Sequence, residues 1–376
     1  MNILITVGIF PPDIGGPAVF VPKIAKHLLN QGHEIQIICL ADDLSVDNEN
    51  QLSIRRIKRS TNLLLRWIKT VFLIIKYGRK SDVVFVNGLG VEAAIANIFL
   101  KKRIVRKIVG DPVWERFYNK NKTKKNFDDF QKINSSWNIK IQKLLRNWSI
   151  TSSETIITPS NHLNKFVNDL GSINNVLKIN NGIEIVDLER KAQPNKINNL
   201  LVNSRLVVQK NIDLVIEAIG ILNDSRLKLE IIGEGTEFQR LNELITNLEI
   251  QNNVKLLGKV DNNSISKYLE KSHLFIQASD YEGLPHSILE AINYEVPILS
   301  TEAGGCKDLL HNGDRGFIIS SPPNKYQIAE SINFIINNST SAHQKALKAK
   351  NYIRENHNFP TQAQLYTEVI ERLEQN

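Results

Sequence analysis

The sequence predicts an α/β protein with two parallel-sheet domains, and three observations support this fold class. The chain has 376 residues, more than one core usually organises, because hydrophobic cores stop growing at about 250 to 300 residues. Apolar, β-branched runs alternate with helical segments, as in parallel sheets covered on both faces. This alternation starts again in the second half, after a segment rich in Pro, Asn and Lys at 187–199.

The first half supplies the elements of a domain predicted at 1–182. The run NILITVGI predicts the first strand, and the helix that follows it at about 18–30 ends near Gly32, which suits a left-handed cap. EIQIICL predicts the next strand, and a helix covers about 62–77. DVVFVNG, RIVRKIVGD and TIITPS predict three further strands, with a long polar helical region between the last two.

The second half repeats this pattern after a linker predicted at 183–199. Six short runs predict strands of a second domain at 200–352: NNLLVNSRL, LKLEIIGEG, NVKLLGKV, LFIQASD, VPILST and GFII. The remaining segment, 353–376, predicts a helix with an apolar stripe at Leu365, Val369 and Leu373 that must pack on another element. Two such Rossmann-like domains in series predict a cleft at the carboxyl ends of their strands, where open α/β sheets bind ligands.

Composition limits the cellular setting. The two cysteines, Cys39 and Cys306, lie in apolar runs, which favours reduced thiols in a cytoplasmic protein over a disulfide. The N-terminus has no basic region or cleavage site and is interpreted as a strand rather than a signal peptide. The longest apolar stretch, 63–75, is interrupted by Arg66 and Lys69 and is shorter than the roughly 20 residues of a spanning helix.

Positive charge is concentrated in the first half. Residues 1–180 carry 27 basic and 14 acidic side chains, a net charge of +13, whereas the remainder carries −5. The stretch IRRIKRSTNLLLRWIKTVFLIIKYGRK and a second basic cluster at 101–107 suggest an interfacial surface for anionic lipid. The alternative is a helix packed on the sheet with solvated basic side chains. Nucleic acid is not expected, because aromatic residues are not interleaved with the basic ones.

Three strand-to-helix loops carry candidate binding residues. Gly15 and Gly16 suit close approach of the backbone to a phosphate or sugar, although a plain turn explains them equally well. In SRLVVQKNID, Arg205 and Lys210 precede a helix that starts near residue 212, where a diphosphate would use both cations; solvated surface charges are the alternative. IIGEGTEF contains Gly233 but lacks the third glycine of a dinucleotide fingerprint, which favours a tight turn.

The stretch DYEGLPHSILEAI has two acids on either side of a predicted helix start. Pro285 suits the first turn of that helix, so Glu282 falls in the loop before it and Glu290 about one and a half turns into it. Glu290 avoids the face of the apolar neighbours. The free N–H groups near His286 and Ser287 would hold an anion between the two acids. A capping acid and an exposed helical acid are the alternatives when each residue is considered singly.

Together with AGGCKDLL, these motifs resemble those of the retaining GT-B glycosyltransferases of family 4, in the same order over nearly the whole chain. The resemblance implies two facing Rossmann-like domains, with the acceptor bound mainly by the first and the nucleotide-sugar donor mainly by the second. It implies no metal and no other cofactor, and a final helix that crosses back onto the first domain. It also implies a glycan or lipid-linked acceptor. The excess positive charge of the first domain favours a peripheral position on the inner face of the cytoplasmic membrane.

The resemblance also implies roles for individual residues. Arg205 and Lys210 would neutralise the leaving diphosphate, Glu290 would bind the ribose and Glu282 the transferred sugar. Asp111 stands in GDPVWERF where many members have a histidine, and would orient the acceptor or the sugar. The residues expected to line the donor site are Gly15, Gly16, Gly233, Gly283, Leu284, Pro285, His286, Ser287 and Glu290. Glu295 stands where a helix-ending glycine is common, and a left-handed conformation there would cost about 1 kcal/mol.

Three functions are consistent with these motifs. A retaining, metal-independent glycosyltransferase is the leading hypothesis. A non-catalytic nucleotide-sugar-binding subunit is the second, because Asp111 replaces the usual histidine. A sugar-nucleotide epimerase on a similar fold is the third, and it predicts product formation without an acceptor.

Overall fold

The computed structural model describes residues 1–13, 15–42, 44, 52–121, 126–133, 136–171, 173, 175–188 and 198–375. Contacts within the chain divide it into two units. Unit 1 comprises residues 1–109, 134–180 and 360–376, and unit 2 comprises residues 110–133 and 181–359.

Each unit contains one parallel sheet. The strands of unit 1 are β1 (Asn2–Val7), β2 (Glu34–Ala41), β3 (Ser53–Lys58), β4 (Val83–Val86), β5 (Arg103–Lys107), β6 (Thr155–Thr158) and β7 (Val176–Lys178). Those of unit 2 are β8 (Asn199–Asn203), β9 (Lys228–Ile232), β10 (Val254–Gly258), β11 (Leu274–Gln277), β12 (Ile298–Thr301) and β13 (Phe317–Ile319). The strand orders are β3-β2-β1-β4-β5-β6-β7 and β10-β9-β8-β11-β12-β13.

Helices follow most of the strands. They are α1 (Gly16–Asn30), α2 (Leu63–Gly78), α3 (Gly90–Leu100), α4 (Pro112–Asn121), α5 (Phe127–Lys132), α6 (Trp137–Thr151), α7 (Asn161–Asn168), α8 (Ile212–Leu222), α9 (Phe238–Asn247), α10 (Asn262–Lys271), α11 (His286–Asn293), α12 (Gly305–Leu310), α13 (Lys325–Asn337), α14 (Ser339–Asn356) and α15 (Phe359–Gln375).

The strands are apolar because helices cover both faces of the sheets. The sequences of β4 (VVFV) and β11 (LFIQ) are buried at every position, as expected for central strands of a parallel sheet. The strand order reverses between β1 and β4 in unit 1 and between β8 and β11 in unit 2. Ligands of open α/β sheets bind at such switch points. The predicted fold class, with a Rossmann-like sheet in each half, is confirmed.

The predicted strands lie where the structure has them, including all six of the second half. Four elements of the first half were not predicted individually: β3, β7, α3 and α7. The run SIRRIK of β3 is strongly basic, and only Ile54 and Ile57 are buried. The long polar region between β5 and β6 forms α4, α5 and α6.

The division into units differs from the predicted domain boundary at residue 182. Residues 110–133 cluster with unit 2, although the prediction placed them in the first domain. The predicted linker at 183–199 includes residues 189–197, which lie outside the described residues, while Ile183 pairs with Asn358 in unit 2. Residues 360–376 cluster with unit 1.

The structure describes the two cysteines and the helices that bear on the expectations from composition. Cys39 and Cys306 are free and buried. Burial raises the pKa of the Cys39 thiol to about 11 and that of the Cys306 thiol to about 12. Among the described residues, no helix combines the length and apolar character needed to cross a membrane.

Candidate functional site

A crevice opens in unit 2 at the carboxyl ends of β8 and β11, where the strand order reverses. Ser204 and Lys210 line it from one side, and Gln277 and Ser279 line it from the other. This is the position at which open α/β sheets bind ligands. The loop predicted to hold a diphosphate therefore borders the switch point of its sheet.

The loop that carries Arg205 packs closely against the turn after β9. Gly233 in this turn has φ +141°, and a Cβ there would overlap the carbonyl oxygen of Ser204. The backbone N–H of Leu206 donates to the carbonyl of Glu234 at 2.8 Å. The structure thus gives Gly233 a packing role, because only glycine allows this approach. Its contact with a ligand stays a prediction.

The carboxylate of Glu282 is fixed by three donors. The same oxygen, Oε1, pairs with the Lys210 ammonium and accepts hydrogen bonds from Gln277 Nε2 and, at 2.6 Å, from Ser279 Oγ. The side chains of Lys210 and Glu282 are only 10% and 12% exposed. Ser287 Oγ donates to Gln277 Oε1 at 3.0 Å and extends this network to the start of α11. Glu282 therefore neutralises Lys210, while its predicted contact with a sugar stays a prediction.

The loop 282–284 is held by the glycines that follow β12. Gly304 has φ +52°, and a Cβ there would overlap the carbonyl oxygen of Glu282. That oxygen accepts a hydrogen bond from Gly305 N at 2.9 Å. The carbonyl of Leu284 accepts from Asn181 Nδ2 at 3.0 Å. The backbone of residues 303–305 therefore packs against that of residues 282–284 and fixes the loop that leads into α11.

Helix α11 begins one residue later than predicted. Pro285 has φ −75° and ψ 119°, so it is the N-cap rather than part of the first turn. His286 and Ser287 lie in the first turn, whose backbone N–H groups have no acceptor within the helix. Glu290 is partly exposed on this helix, and its apolar neighbours Ile288 and Leu289 are buried, as predicted.

Asp111 lies in unit 2 and is fully buried. Its Oδ1 accepts a hydrogen bond from Val113 N at 2.9 Å, and its Oδ2 accepts one from Gln131 Nε2 at 3.0 Å. These bonds satisfy the start of α4 and join it to α5. The structure thus gives Asp111 a capping function, and its proposed role in catalysis stays a prediction.

An aromatic cluster joins residues 110–133 to the rest of unit 2. The ring of Tyr281 stacks on Phe127 with a centroid distance of 4.3 Å, and it meets Trp114 edge-on at 5.2 Å. Trp114 also contacts Tyr118 at 5.0 Å. All four side chains are buried. Because aromatic pairs of this kind contribute about 0.5 to 1.5 kcal/mol beyond their buried area, α4 and α5 are firmly attached beside the loop after β11.

A hydrogen-bond chain continues from this cluster to the start of α8. Tyr118 donates its hydroxyl proton to Asp280 Oδ2, and Asn211 Nδ2 donates to Asp280 Oδ1 at 2.9 Å. Asn211 caps α8 in a left-handed conformation, with φ 49°, and also donates to Ala278 O at 2.9 Å. Burial and the bond to Asp280 raise the pKa of Tyr118 above its ordinary value. Asn211, which follows Lys210 in the chain, is therefore held in place by Tyr118 of α4 through Asp280.

Arg205 also has a carboxylate partner. Its Nη2 lies 3.6 Å from Glu115 Oε2 on α4, and the two side chains are 51% and 34% exposed. Both cations that were predicted to bind a diphosphate are thus paired with acids, Arg205 near the surface and Lys210 in a nearly buried position.

The remaining predicted residues, Gly15 and Gly16, belong to unit 1. Gly15 has φ 149° and precedes α1, which begins at Gly16. They follow β1, at the switch point of that sheet. Their predicted contact with the donor stays a prediction.

Unit 1 buries a lysine side chain at the end of β5. Lys107, the last residue of β5, is 4% exposed, and its Nζ has no hydrogen-bond partner among the described residues. The Nζ lies 3.2 Å from the centre of the Phe20 ring and 5.1 Å from that of Tyr366. Burial lowers the pKa of Lys107 well below its ordinary value.

Sequence reasoning missed the residues that support the candidate site. Gln277 ends β11, and Ser279 and Asp280 follow within three residues, so their position at a strand end was an available signal. Glu115 and Tyr118 carried no such signal, because they reach the site only through the packing of α4 in unit 2.

Comparisons with known proteins agree with this architecture. The family model described as "Glycosyl transferases group 1" matches residues 186–356. The chain is 33% identical over 110 residues to the Bacillus anthracis N-acetyl-alpha-D-glucosaminyl L-malate synthase, an alignment that covers 29% of this chain and 28% of that relative. The chain spans between 18% and 37% of the length of the first four curated relatives it matches.

A longer alignment and a solved structure extend the likeness to both units. A Campylobacter jejuni N-acetylgalactosamine-N,N'-diacetylbacillosaminyl-diphospho-undecaprenol 4-alpha-N-acetylgalactosaminyltransferase is 27% identical over 330 residues, 83% of this chain and 85% of that relative. The crystal structure of Anabaena HepE with UDP and glucose superposes with a TM-score of 0.79 at 20% identity, covering 99% of this chain and 100% of that one. Residues 186–356 therefore match the glycosyl transferases group 1 family, and the whole chain has the GT-B fold.

Proposed function

We propose that this protein is a glycosyltransferase that moves a sugar from a nucleoside-diphosphate sugar to a glycan or lipid-linked acceptor. The observation that carries the proposal is the pair of cations in the loop beside the crevice of unit 2, which Lys210 lines. Arg205 and Lys210 lie in one short loop before α8, inside the segment that matches the glycosyl transferases group 1 model. A departing diphosphate needs fixed positive charge of this kind.

The donor class is supported by the surroundings of these cations. Lys210 and the first turn of α11 border the same hydrogen-bond network through Glu282, Gln277 and Ser287. A helix N-terminus and an ammonium group both favour anions. The solved structure of similar fold from Anabaena contains UDP and glucose, so UDP is a suitable first probe.

The finer mechanism is part of the proposal. We propose retention of the anomeric configuration, with the acceptor attacking from the face that the diphosphate leaves. Glu282 Oε1 pairs with Lys210 and accepts hydrogen bonds from Gln277 and Ser279, so the proposal gives this acid a positioning role and no covalent step. We also propose metal-independent transfer in which Arg205 and Lys210 supply the charge compensation that a metal ion provides elsewhere.

The proposed acceptor class is supported by a sequence alignment that covers 83% of this chain. The name of the Campylobacter jejuni relative includes a diphospho-undecaprenol acceptor. A polyprenyl-diphosphate-linked sugar is therefore the first acceptor to examine for this chain.

Transfer assays with Arg205→Ala and Glu290→Ala test the proposal. A panel of nucleotide sugars is incubated with lipid extract, and products are identified by mass spectrometry. We expect the wild type to form a glycosylated product and Arg205→Ala to lose at least about tenfold in rate, because one charge-assisted contact is worth about 1.5 to 3 kcal/mol. Arg226→Ala is a matched control, since Arg226 lies in the same unit and pairs with its sequence neighbour Asp224.

Three outcomes would contradict the proposal. Equal rates for wild type, Arg205→Ala and Glu290→Ala would remove the assigned site. Calorimetric binding of UDP without turnover of any donor would favour the non-catalytic subunit. Product formed from donor alone would favour the epimerase. Inversion of the anomeric carbon, observed by NMR, or loss of activity with a chelator would overturn only the finer mechanism.

A further inference from the structure

Three neighbouring helices of unit 1 expose an unusual number of apolar side chains. Helix α3 packs against both α2 and α6, so the three form one layer over the sheet. Twelve of the 22 exposed large apolar side chains among the described residues lie on these helices. We call this surface the three-helix face, formed by Leu63, Leu64, Leu65, Ile68, Phe72, Ile98, Phe99, Trp137, Ile141, Leu144, Leu145 and Trp148.

The exposure is large for individual residues. Trp137 is 80% exposed, Phe99 is 70% and Phe72 is 62%. The inner side of α2 packs on the sheet through Ile74, which is buried in one core cluster with Val84 and Ile104. The outer residues are therefore not needed for the packing of α2 on the sheet. Monomeric proteins rarely expose large contiguous apolar patches unless another surface covers them.

The charge of the three-helix face identifies what would cover it. Helices α2 and α6 contain no Asp or Glu, and α3 contains one, the partly exposed Glu92. Lys69 and Lys76 on α2 are exposed, and Lys140 on α6 is partly exposed. Lys101, directly after α3, is exposed as well. An apolar surface with basic and almost no acidic side chains is complementary to anionic lipid headgroups above their acyl chains.

The same charge argues against a second copy of the chain as the occupant. A twofold dimer would place this face against itself. Its basic side chains would then meet like charges, because α2 and α6 offer no carboxylate to pair with them. Like-charge contacts of this kind cost several kcal/mol across an interface.

We propose that the three-helix face binds the surface of an anionic phospholipid bilayer, with its apolar side chains inserted at the boundary between headgroups and acyl chains. The helices lie along the membrane plane, since α2 has 16 residues and a spanning helix needs about 20. Trp137 and Trp148 suit this boundary, because tryptophan combines an apolar ring with an N–H donor. Lys69 and Lys76 contact the headgroups.

Vesicle flotation of the full chain tests the proposal. Vesicles of phosphatidylcholine alone are compared with vesicles that contain about 30% phosphatidylglycerol, since anionic lipid supplies the attraction. The double variant Ile68→Ser/Phe72→Ser is compared with the control Ile221→Ser/Phe334→Ser. The control residues are 44% and 55% exposed on α8 and α13 of unit 2. All four side chains are exposed, and circular dichroism melting checks that the variants remain folded.

We expect the wild type and the control to float with the anionic vesicles and to be released by high salt. The α2 double variant should bind roughly 30-fold more weakly, the factor that corresponds to about 2 kcal/mol of lost apolar burial. The tryptophan emission should shift to the blue on binding, and the variant Trp137→Phe should lose part of that shift.

Other results would overturn the proposal. These are equal flotation of both double variants, absence of wild-type binding to anionic vesicles, or equal binding to neutral vesicles that is insensitive to salt. A dimer in light scattering that only Ile68→Ser/Phe72→Ser dissociates would assign the face to a second copy. No donor or acceptor is present, so the result is independent of the proposed transfer activity.

Discussion

The ion pair between Lys210 and Glu282 can be tested by a double-mutant cycle. Glu282→Ala leaves the Lys210 ammonium, now 10% exposed, without its carboxylate. Removing one partner of a buried pair costs about 3 to 5 kcal/mol in free energy of unfolding. Gln277 and Ser279 lose their acceptor in the same variant, which places the expected loss at the upper end of that range.

Lys210→Met should cost less than Glu282→Ala. The Glu282 carboxylate keeps hydrogen bonds from Gln277 and Ser279 in that variant, so we expect a loss of about 1 to 3 kcal/mol. The double variant no longer buries an unpaired ammonium. Its loss should therefore be smaller than the sum of the single losses by about 2 kcal/mol or more.

Urea unfolding of the four proteins measures this coupling. The cavity at position 282 is common to Glu282→Ala and the double variant, so it cancels in the cycle. The partly exposed pair Lys325 and Glu217, at 3.4 Å and 37% and 28% exposed, is the control, with an expected coupling below about 1 kcal/mol. If the losses at Lys210 and Glu282 add to within about 0.5 kcal/mol, the pair is not the coupled, desolvated contact described here.

Three further predictions concern strain, the α4 contact and buried charge. Glu295 and Glu249 have φ of 54° and 56°, so Glu295→Gly and Glu249→Gly should each raise the urea midpoint by an amount equivalent to about 1 kcal/mol; no increase at either site would contradict the assigned strain. Tyr118→Phe leaves Asp280 Oδ2 without its Tyr118 donor and should cost about 1 to 3 kcal/mol in thermal unfolding, and unchanged stability would refute that contact. Because burial lowers the pKa of Lys107 in the folded chain, the unfolded chain binds more protons between the folded pKa and the unfolded value of about 10.4. Stability should therefore rise with pH across that window, and Lys107→Met should flatten the rise; parallel curves for the two proteins would contradict it.

The fold was largely predictable because its signal is local. Parallel strands buried on both faces must be continuous apolar runs, and the runs at β4 and β11 meet that requirement at every position. The edge strand β3 has a partner on only one side, so it needs fewer buried residues and appeared as part of a basic stretch. The assignment of residues 110–133 to unit 2 had no local signal, because it depends on Tyr281 meeting aromatic rings more than 150 residues earlier in the chain.

The candidate site was predictable only where residues share a loop. Arg205 and Lys210 could be linked from their spacing, and the motif around Pro285 indicated a helix start within one residue. The partner of each residue was not predictable. Glu282 was assigned to a sugar, and the structure pairs it with Lys210; Arg205 was assigned to a phosphate, and the structure pairs it with Glu115. Such long-range pairs depend on how loops after different strands meet at one sheet edge.

The two ion pairs give Arg205 and Lys210 different parts in the proposed reaction. The Arg205–Glu115 pair is half exposed, with a separation of 3.6 Å, and exposed pairs contribute only about 0 to 1 kcal/mol. A diphosphate can therefore replace Glu115 at little cost, and bidentate geometry favours the guanidinium as its partner. Lys210 would be costly to separate from Glu282, because both side chains are nearly buried. Arg205 is thus the cation that can exchange its partner when a donor binds, and Lys210 is the cation whose position is set before the donor arrives. Glu115→Gln should accordingly tighten UDP binding in calorimetry, whereas weaker binding would show that Glu115 supports Arg205 rather than competing with the donor.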